Sequence, residues 1–85
     1  MIEVTHLTMT SDACPTQWEG LVGDEGSIYI RYRSGLLEVY VSGTSHDPIR
    51  DGVCVFDQRI GGKYDGEMST DQMKEFLAGV CLFGS

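Results

Sequence analysis

The stretch that most restricts the fold runs from Ser27 to Val41, Ser-Ile-Tyr-Ile-Arg-Tyr-Arg-Ser-Gly-Leu-Leu-Glu-Val-Tyr-Val. Two alternating runs flank Ser34-Gly35, and a two-residue loop of this type between such runs signals a β-hairpin. Pairing the runs across that turn sets Arg33 against Leu36, Tyr32 against Leu37 and Arg31 against Glu38. Further out, Ile30 meets Val39, Tyr29 meets Tyr40 and Ile28 meets Val41. One face then carries Ile28, Ile30, Tyr32, Leu37, Val39 and Val41. The other carries Tyr29, Arg31, Arg33, Leu36, Glu38 and Tyr40. A slip of one residue would mix the two sets, so alternation and register support each other.

Around this hairpin there is room for a single domain of 85 residues. A chain of this size buries only roughly 60–65% of its unfolded surface, which leaves a thin margin that a dimer or partner would widen. Hydrophobic residues at 41% and charged residues at 22% suit a globular chain rather than a disordered one. No apolar run is long enough to span a bilayer, and the N-terminus lacks a basic region followed by an apolar core. The expectation is a soluble, cytoplasmic protein without a membrane role. Cys14, Cys54 and Cys81 are odd in number and widely spaced, unlike a disulfide framework or a Cys-x-x-Cys metal site. They read as reduced thiols, with Cys54 and Cys81 as core filler. The net charge of −7 argues against direct nucleic-acid binding through phosphate neutralisation.

Residues 1–10 are rich in β-branched types and extended. Both of their faces are mixed, so they read as an edge strand or an arm, and an exposed edge there would permit a homodimer by strand addition. After the Ser11–Pro15 connection, residues 16–22 form a strand. A three-residue loop back into the hairpin places Trp18 opposite Ile30 on the core face; a four-residue loop would set it over Arg31. The first is favoured, because a lone tryptophan in a small domain belongs to the core. Residues 42–52 are dominated by turn formers, and a connection this long in a short chain is mobile or functional. Val53 to Ile60 is the next strand.

The C-terminal helix is signalled over 69–82. Ser69 is its N-cap, Gln72 completes a capping box, and Met68 and Met73 have the spacing of a hydrophobic staple. Met73, Phe76, Leu77, Val80 and Cys81 make one apolar stripe that needs the hairpin's Ile/Val face to cover it. Gly79 weakens the helix interior by roughly 1 kcal/mol. The expected fold is α+β: a small antiparallel sheet of four to five strands in a meander (16–60, with the N-terminal strand), and one C-terminal helix packed on one face.

Two surfaces are candidate partner-binding sites. On the hairpin's open face, Arg31 opposite Glu38 and Tyr29 opposite Tyr40 contribute about 0.2–1 kcal/mol each to the sheet. Those pairs alone account for the residues, yet tyrosine and arginine, with Arg33 beside them, are also the types enriched in binding hot spots. The second surface is acidic: Asp47 and Asp51 in the long loop, then Asp65, Glu67, Asp71 and Glu75. Such a row either solvates the molecule or imitates phosphates in a basic nucleic-acid-binding groove of another protein. Catalysis is poorly supported. Cys14 with His6 or His46 is the minimum for thiol chemistry, but nothing in the spacing brings them together. Gly61-Gly62-Lys63 lacks the rest of a phosphate loop, Asp65-Gly66-Glu67 lacks calcium-loop alternation, and the His and Cys residues lack zinc-site spacing. No cofactor or metal is implied.

Cys14-Pro15-Thr16-Gln17-Trp18-Glu19-Gly20 followed by Tyr29-Ile30-Arg31-Tyr32-Arg33-Ser34-Gly35-Leu36 resembles short bacterial and phage proteins that pair a Cys-Pro-x-Gln-Trp-Glu-Gly stretch with a Tyr-x-Arg-Tyr-Arg hairpin, a group with no activity attached. In format, though not in motif, the very short acidic chain is similar to phage inhibitors of host defence such as anti-CRISPR proteins. Together these readings lead to a non-enzymatic interaction module that blocks a host nucleic-acid-handling or defence complex. The alternative is a small-molecule sensor using the open hairpin face or the 42–52 loop.

Overall fold

The structure is a computed structural model and describes residues 2–13, 15–23, 26–43, 52–62 and 66–84. Its elements are β1 (Ile2–Asp12), β2 (Thr16–Val22), β3 (Gly26–Arg33), β4 (Leu36–Ser42), β5 (Val53–Arg59), α1 (Thr70–Phe76) and β6 (Cys81–Phe83). The strands form one six-stranded sheet in the order β5-β4-β3-β2-β1-β6, antiparallel except where β6 runs parallel to β1.

The hairpin register is as the alternation requires, from Arg33 opposite Leu36 to Ile28 opposite Val41. Ser34 and Gly35 both have positive φ, 54° and 76°, the left-handed pair that suits the twist of a two-residue hairpin. Trp18 pairs with Ile30, as the shorter loop predicts, and is fully buried. On the inner face Ile28, Ile30, Tyr32, Leu37 and Val39 form the floor of the core, with Val4, Trp18, Met73, Leu77 and Cys81 packed against it.

Two polar contacts seat the helix over β2. The buried Thr16 hydroxyl donates to the Gly66 carbonyl at 2.8 Å and accepts the Met68 N–H at 3.2 Å. The Trp18 indole Nε1 donates to Thr70 Oγ1 at 2.9 Å. The capping box is complete, with Gln72 N–H donating to Ser69 Oγ at 3.1 Å and Ser69 N–H to Gln72 Oε1 at 3.0 Å. Met68 and Met73 are both buried.

Several expectations are corrected. The sheet has six strands rather than four to five, and it is mixed rather than a pure antiparallel meander. The helix ends at Phe76 rather than reaching residue 82. Residues 77–80 turn, with Val80 and Cys81 both donating to the Leu77 carbonyl, and the chain re-enters the sheet as β6. The run Val80-Cys81-Leu82-Phe83 satisfies helical and extended patterns equally over so few residues, and Ile2–Val4 supplies a strand to pair with. The beginning of β1 is therefore interior, between β2 and β6, rather than a free arm. Its mixed pattern comes from a bulge between Thr5 and Thr8. There His6 takes a φ of 54°, and Val4 and Leu7 both turn towards the core. Gly20 lies opposite, where a side chain would press on the Thr5 carbonyl and Val4. Phe76, placed in the apolar stripe from sequence, is 48% exposed, because the short helix buries only Met73 and the chain then buries Leu77 just past its end.

Candidate functional site

The outer face of the hairpin is a lattice of three transverse rows, ordered by the pairing of β2, β3, β4 and β5. Glu19, Tyr29, Tyr40 and Cys54 form the first row. Gln17, Arg31, Glu38 and Asp57 form the second. Arg33, Leu36 and Arg59 form the third, nearest the Ser34-Gly35 turn.

The first two rows are largely engaged within the molecule. Arg31 Nη2 donates to Glu38 Oε1 at 2.7 Å and its Nε to the same oxygen at 3.2 Å. The Tyr40 hydroxyl donates to Glu38 Oε2 in a short contact. Burial opposes ionisation of Glu38, but donation from Tyr40 and Arg31 outweighs it and holds the carboxyl below its ordinary value. The bond to Glu38, reinforced by burial, pushes the Tyr40 hydroxyl up to about 12. The same carboxylate raises Arg31. The Tyr29 and Tyr40 rings lie 6.2 Å apart, and burial raises the Tyr29 hydroxyl.

Tyr29 is only 4% exposed, its ring packed beside that of Tyr40. Arg31, Glu38 and Tyr40 are half-buried. Exposed side chains on the face are Cys54 and Asp57, at the β5 ends of the first two rows, and the arginines of the third row. Arg33 and Arg59 are exposed on either side of half-buried Leu36. Arg59 Nη1 donates to the Ser34 carbonyl at 2.8 Å, which draws its guanidinium over the hairpin end. A depression of about 270 Å³ lies there, lined by Arg31, Arg33, Ser34, Leu36, Glu38 and Arg59. Three of the chain's six basic residues thus meet on one corner of a molecule of net charge −7.

No protein-family model, curated protein or solved structure matches the chain.

Sequence reasoning missed Arg59. The alternation of Asp57 with Arg59 was visible, but the long connection before β5 left its register against β4 open. A bulge at Val55 then shifts the pairing, since Val39 meets Phe56 while Tyr40 meets Cys54. Cys54, expected in the core, is exposed on the outer face for the same reason. Cys81 is buried on the opposite end strand, its thiol pushed up by burial.

Of the acidic candidates, Glu67, Asp71 and Glu75 are exposed around the helix start. Asp47, Asp51, Asp65 and Cys14 lie outside the described residues, as does His46. Among the described residues no three His, Cys, Asp or Glu side chains gather as metal ligands. No described helix is long and apolar enough to cross a membrane. A second groove, of about 590 Å³, opens at the far end of the same face between His6, Thr8, Glu19, Leu21 and Ser27.

Proposed function

We propose that the chain is a non-enzymatic protein–protein interaction module that contacts its partner through the hairpin end of the outer face. The observation that carries this reading is the third row: two exposed arginines flanking an apolar side chain, across three strands whose hairpin turn and ion pair are already ordered. Arginine beside an apolar contact is the composition of binding hot spots, and a preordered scaffold loses little entropy on association. The rest of the surface is acidic, so the partner meets this corner with acidic groups and the remaining surface with basic ones.

The short acidic format supports a narrower form of the same reading, an anti-CRISPR-like phage or mobile-element inhibitor of a host nucleic-acid-handling or defence complex. In it the exposed acids around the helix start occupy a basic groove that otherwise holds phosphates. Co-expression with an active nucleic-acid-targeting defence system tests it, with phage or plasmid interference scored. Loss of interference is expected, restored by Arg33→Glu or by reversing Glu67 and Asp71. Undiminished interference across a panel of such systems, with the protein folded and abundant, would overturn the inhibitor reading.

A small-molecule sensor is the second reading, and the groove beside His6 and Leu21 favours it. A thermal shift from a metabolite panel that disappears in Leu21→Asp, with no protein partner captured, would replace the first reading with this one.

A further inference from the structure

Among the described residues the sheet ends on β5, whose edge carries one bulge, at Val55, and two charged side chains, Asp57 and Arg59. Val53 is 67% exposed and Val55 44%. Between Val53 and Arg59 there is neither lysine nor proline, and the single irregularity, at Val55, leaves Phe56–Arg59 continuous. The stretch of β1 beyond its pairing with β6 is less suited to adding a strand, since two register shifts interrupt it.

The free half of β5 is complementary to itself. Ile60 N–H donates to the Gly35 carbonyl at 2.7 Å, which sets the phase of the ladder. Alternation then turns the N–H and C=O of Phe56, Gln58 and Ile60 towards β4, and those of Asp57 and Arg59 outwards. An antiparallel copy centred on Gln58 sets Asp57 against Arg59 of the second copy, Arg59 against its Asp57, and Phe56 against its Ile60. The outward backbone groups of residues 57 and 59 then exchange hydrogen bonds across the axis. Inner-face apolar residues meet apolar residues, and opposite charges meet on the outer face.

The charges explain why this register is preferred. Within one chain the second row ends in two carboxylates, Glu38 directly opposite Asp57, an arrangement that destabilises a sheet. Arg31 is bound to Glu38, and no cation among the described residues pairs with Asp57. Arg59 of a second copy completes the row as Arg31, Glu38, Asp57, Arg59, with both acids held between guanidinium groups. Arg59 Nη1 holds the Ser34 carbonyl within one chain, so the contact across the axis exchanges that exposed bond for the Asp57 carboxylate of the second copy.

We propose that two copies of the chain join antiparallel along residues 56–60, about a two-fold axis through Gln58, doubling the six-stranded sheet into one continuous sheet. The closed two-fold uses the same strand on both sides, so assembly stops at two. The outer faces become coplanar, and the two Arg33/Leu36 corners are displayed together. Arg59 is common to the joint and the proposed contact corner, but Arg33 lies outside the joining strand, so the failure of one proposal is distinguishable from the failure of the other.

Sedimentation equilibrium over a dilution series tests the dimer, with far-UV circular dichroism confirming folding. The wild type is expected at twice the chain mass. Asp57→Arg and Arg59→Asp should each raise the dimerisation midpoint at least about tenfold in concentration, since each sets like charges face to face. The double exchange, Asp57→Arg with Arg59→Asp, should restore it, and Arg33→Glu should leave it unchanged. Gln58→Cys in a Cys14→Ser, Cys54→Ser background should form an interchain disulfide on oxidation. Wild-type Cys54 should not link to its copy, because the two stand about 20 Å apart in this register. A monomeric wild type, or single reversals that leave the dimer intact, would overturn the proposal. A folded double exchange that stays monomeric, or ready Cys54–Cys54 linkage, would overturn the register.

Discussion

Glu38 is where the outer face draws its order from a single residue. Its carboxylate accepts from Arg31 on the facing strand and from Tyr40 two residues along its own. Its folded value lies below the ordinary 4.5, so the group binds protons more weakly in the native state than in the unfolded one. The stabilisation is therefore fully present above about 4.5 and is lost as pH falls through the lowered value. Glu38→Gln should flatten the acid limb of the stability profile, measured by urea unfolding at a series of pH values. Tyr40→Phe should move the Glu38 carboxyl upwards in an NMR titration, since it removes one of the two donors. Tyr40 behaves in the opposite sense: its contribution is present below its ordinary value of 10 and is lost as pH rises through about 12.

At the scale of elements, the hairpin turn and the helix seat are the two joints on which the fold depends. Gly35 has a φ of 76°, and a side chain there would press into the carbonyl oxygens of Gly61 and Gly62. Gly35→Ala should cost at least about 1–3 kcal/mol by chemical denaturation. Ser34→Asn, which makes the preferred Asn-Gly pair at a left-handed position, should raise stability by roughly 0.5 kcal/mol. At the other joint, Thr16→Val leaves the Gly66 carbonyl and Met68 N–H buried without their partner. The expected loss is about 1–3 kcal/mol, with the protection of helix amides in hydrogen exchange falling more than that of β3 and β4. The hairpin was legible in the sequence down to its register because both strands and their turn are contiguous. The capping box was legible for the same reason, whereas the helix's end was not. Val80 to Phe83 fits a helix or a strand locally, and β1, some eighty residues earlier, selects the strand.

For the whole molecule, the same division between local and distant causes runs through the candidate site. Tyr29, Arg31, Arg33, Glu38 and Tyr40 were placed on one face by alternation alone. Packing decided their exposure: Tyr29 is buried, while Arg33 stays exposed. Arg59 joined the site only through the pairing of β5, and the same pairing brought Asp57 beside Glu38. The proposed contact surface and the proposed joining edge share Arg59, and Arg33→Glu against Asp57→Arg distinguishes them. The first should abolish partner inhibition and spare assembly; the second should weaken assembly. The sequence by itself determined the hairpin, its two faces and the capped helix start, because each depends on residues a few positions apart; the Trp18 register, open between two loop lengths, came from the pairing of β2 with β3. Only the tertiary structure decided that a sixth strand pairs with β1, that β5 ends the sheet among the described residues, and that three arginines meet at one corner. Those outcomes depend on which strands pair across long connections and on bulges at Thr5–Thr8 and Val55, where one extra residue reverses every side chain beyond it.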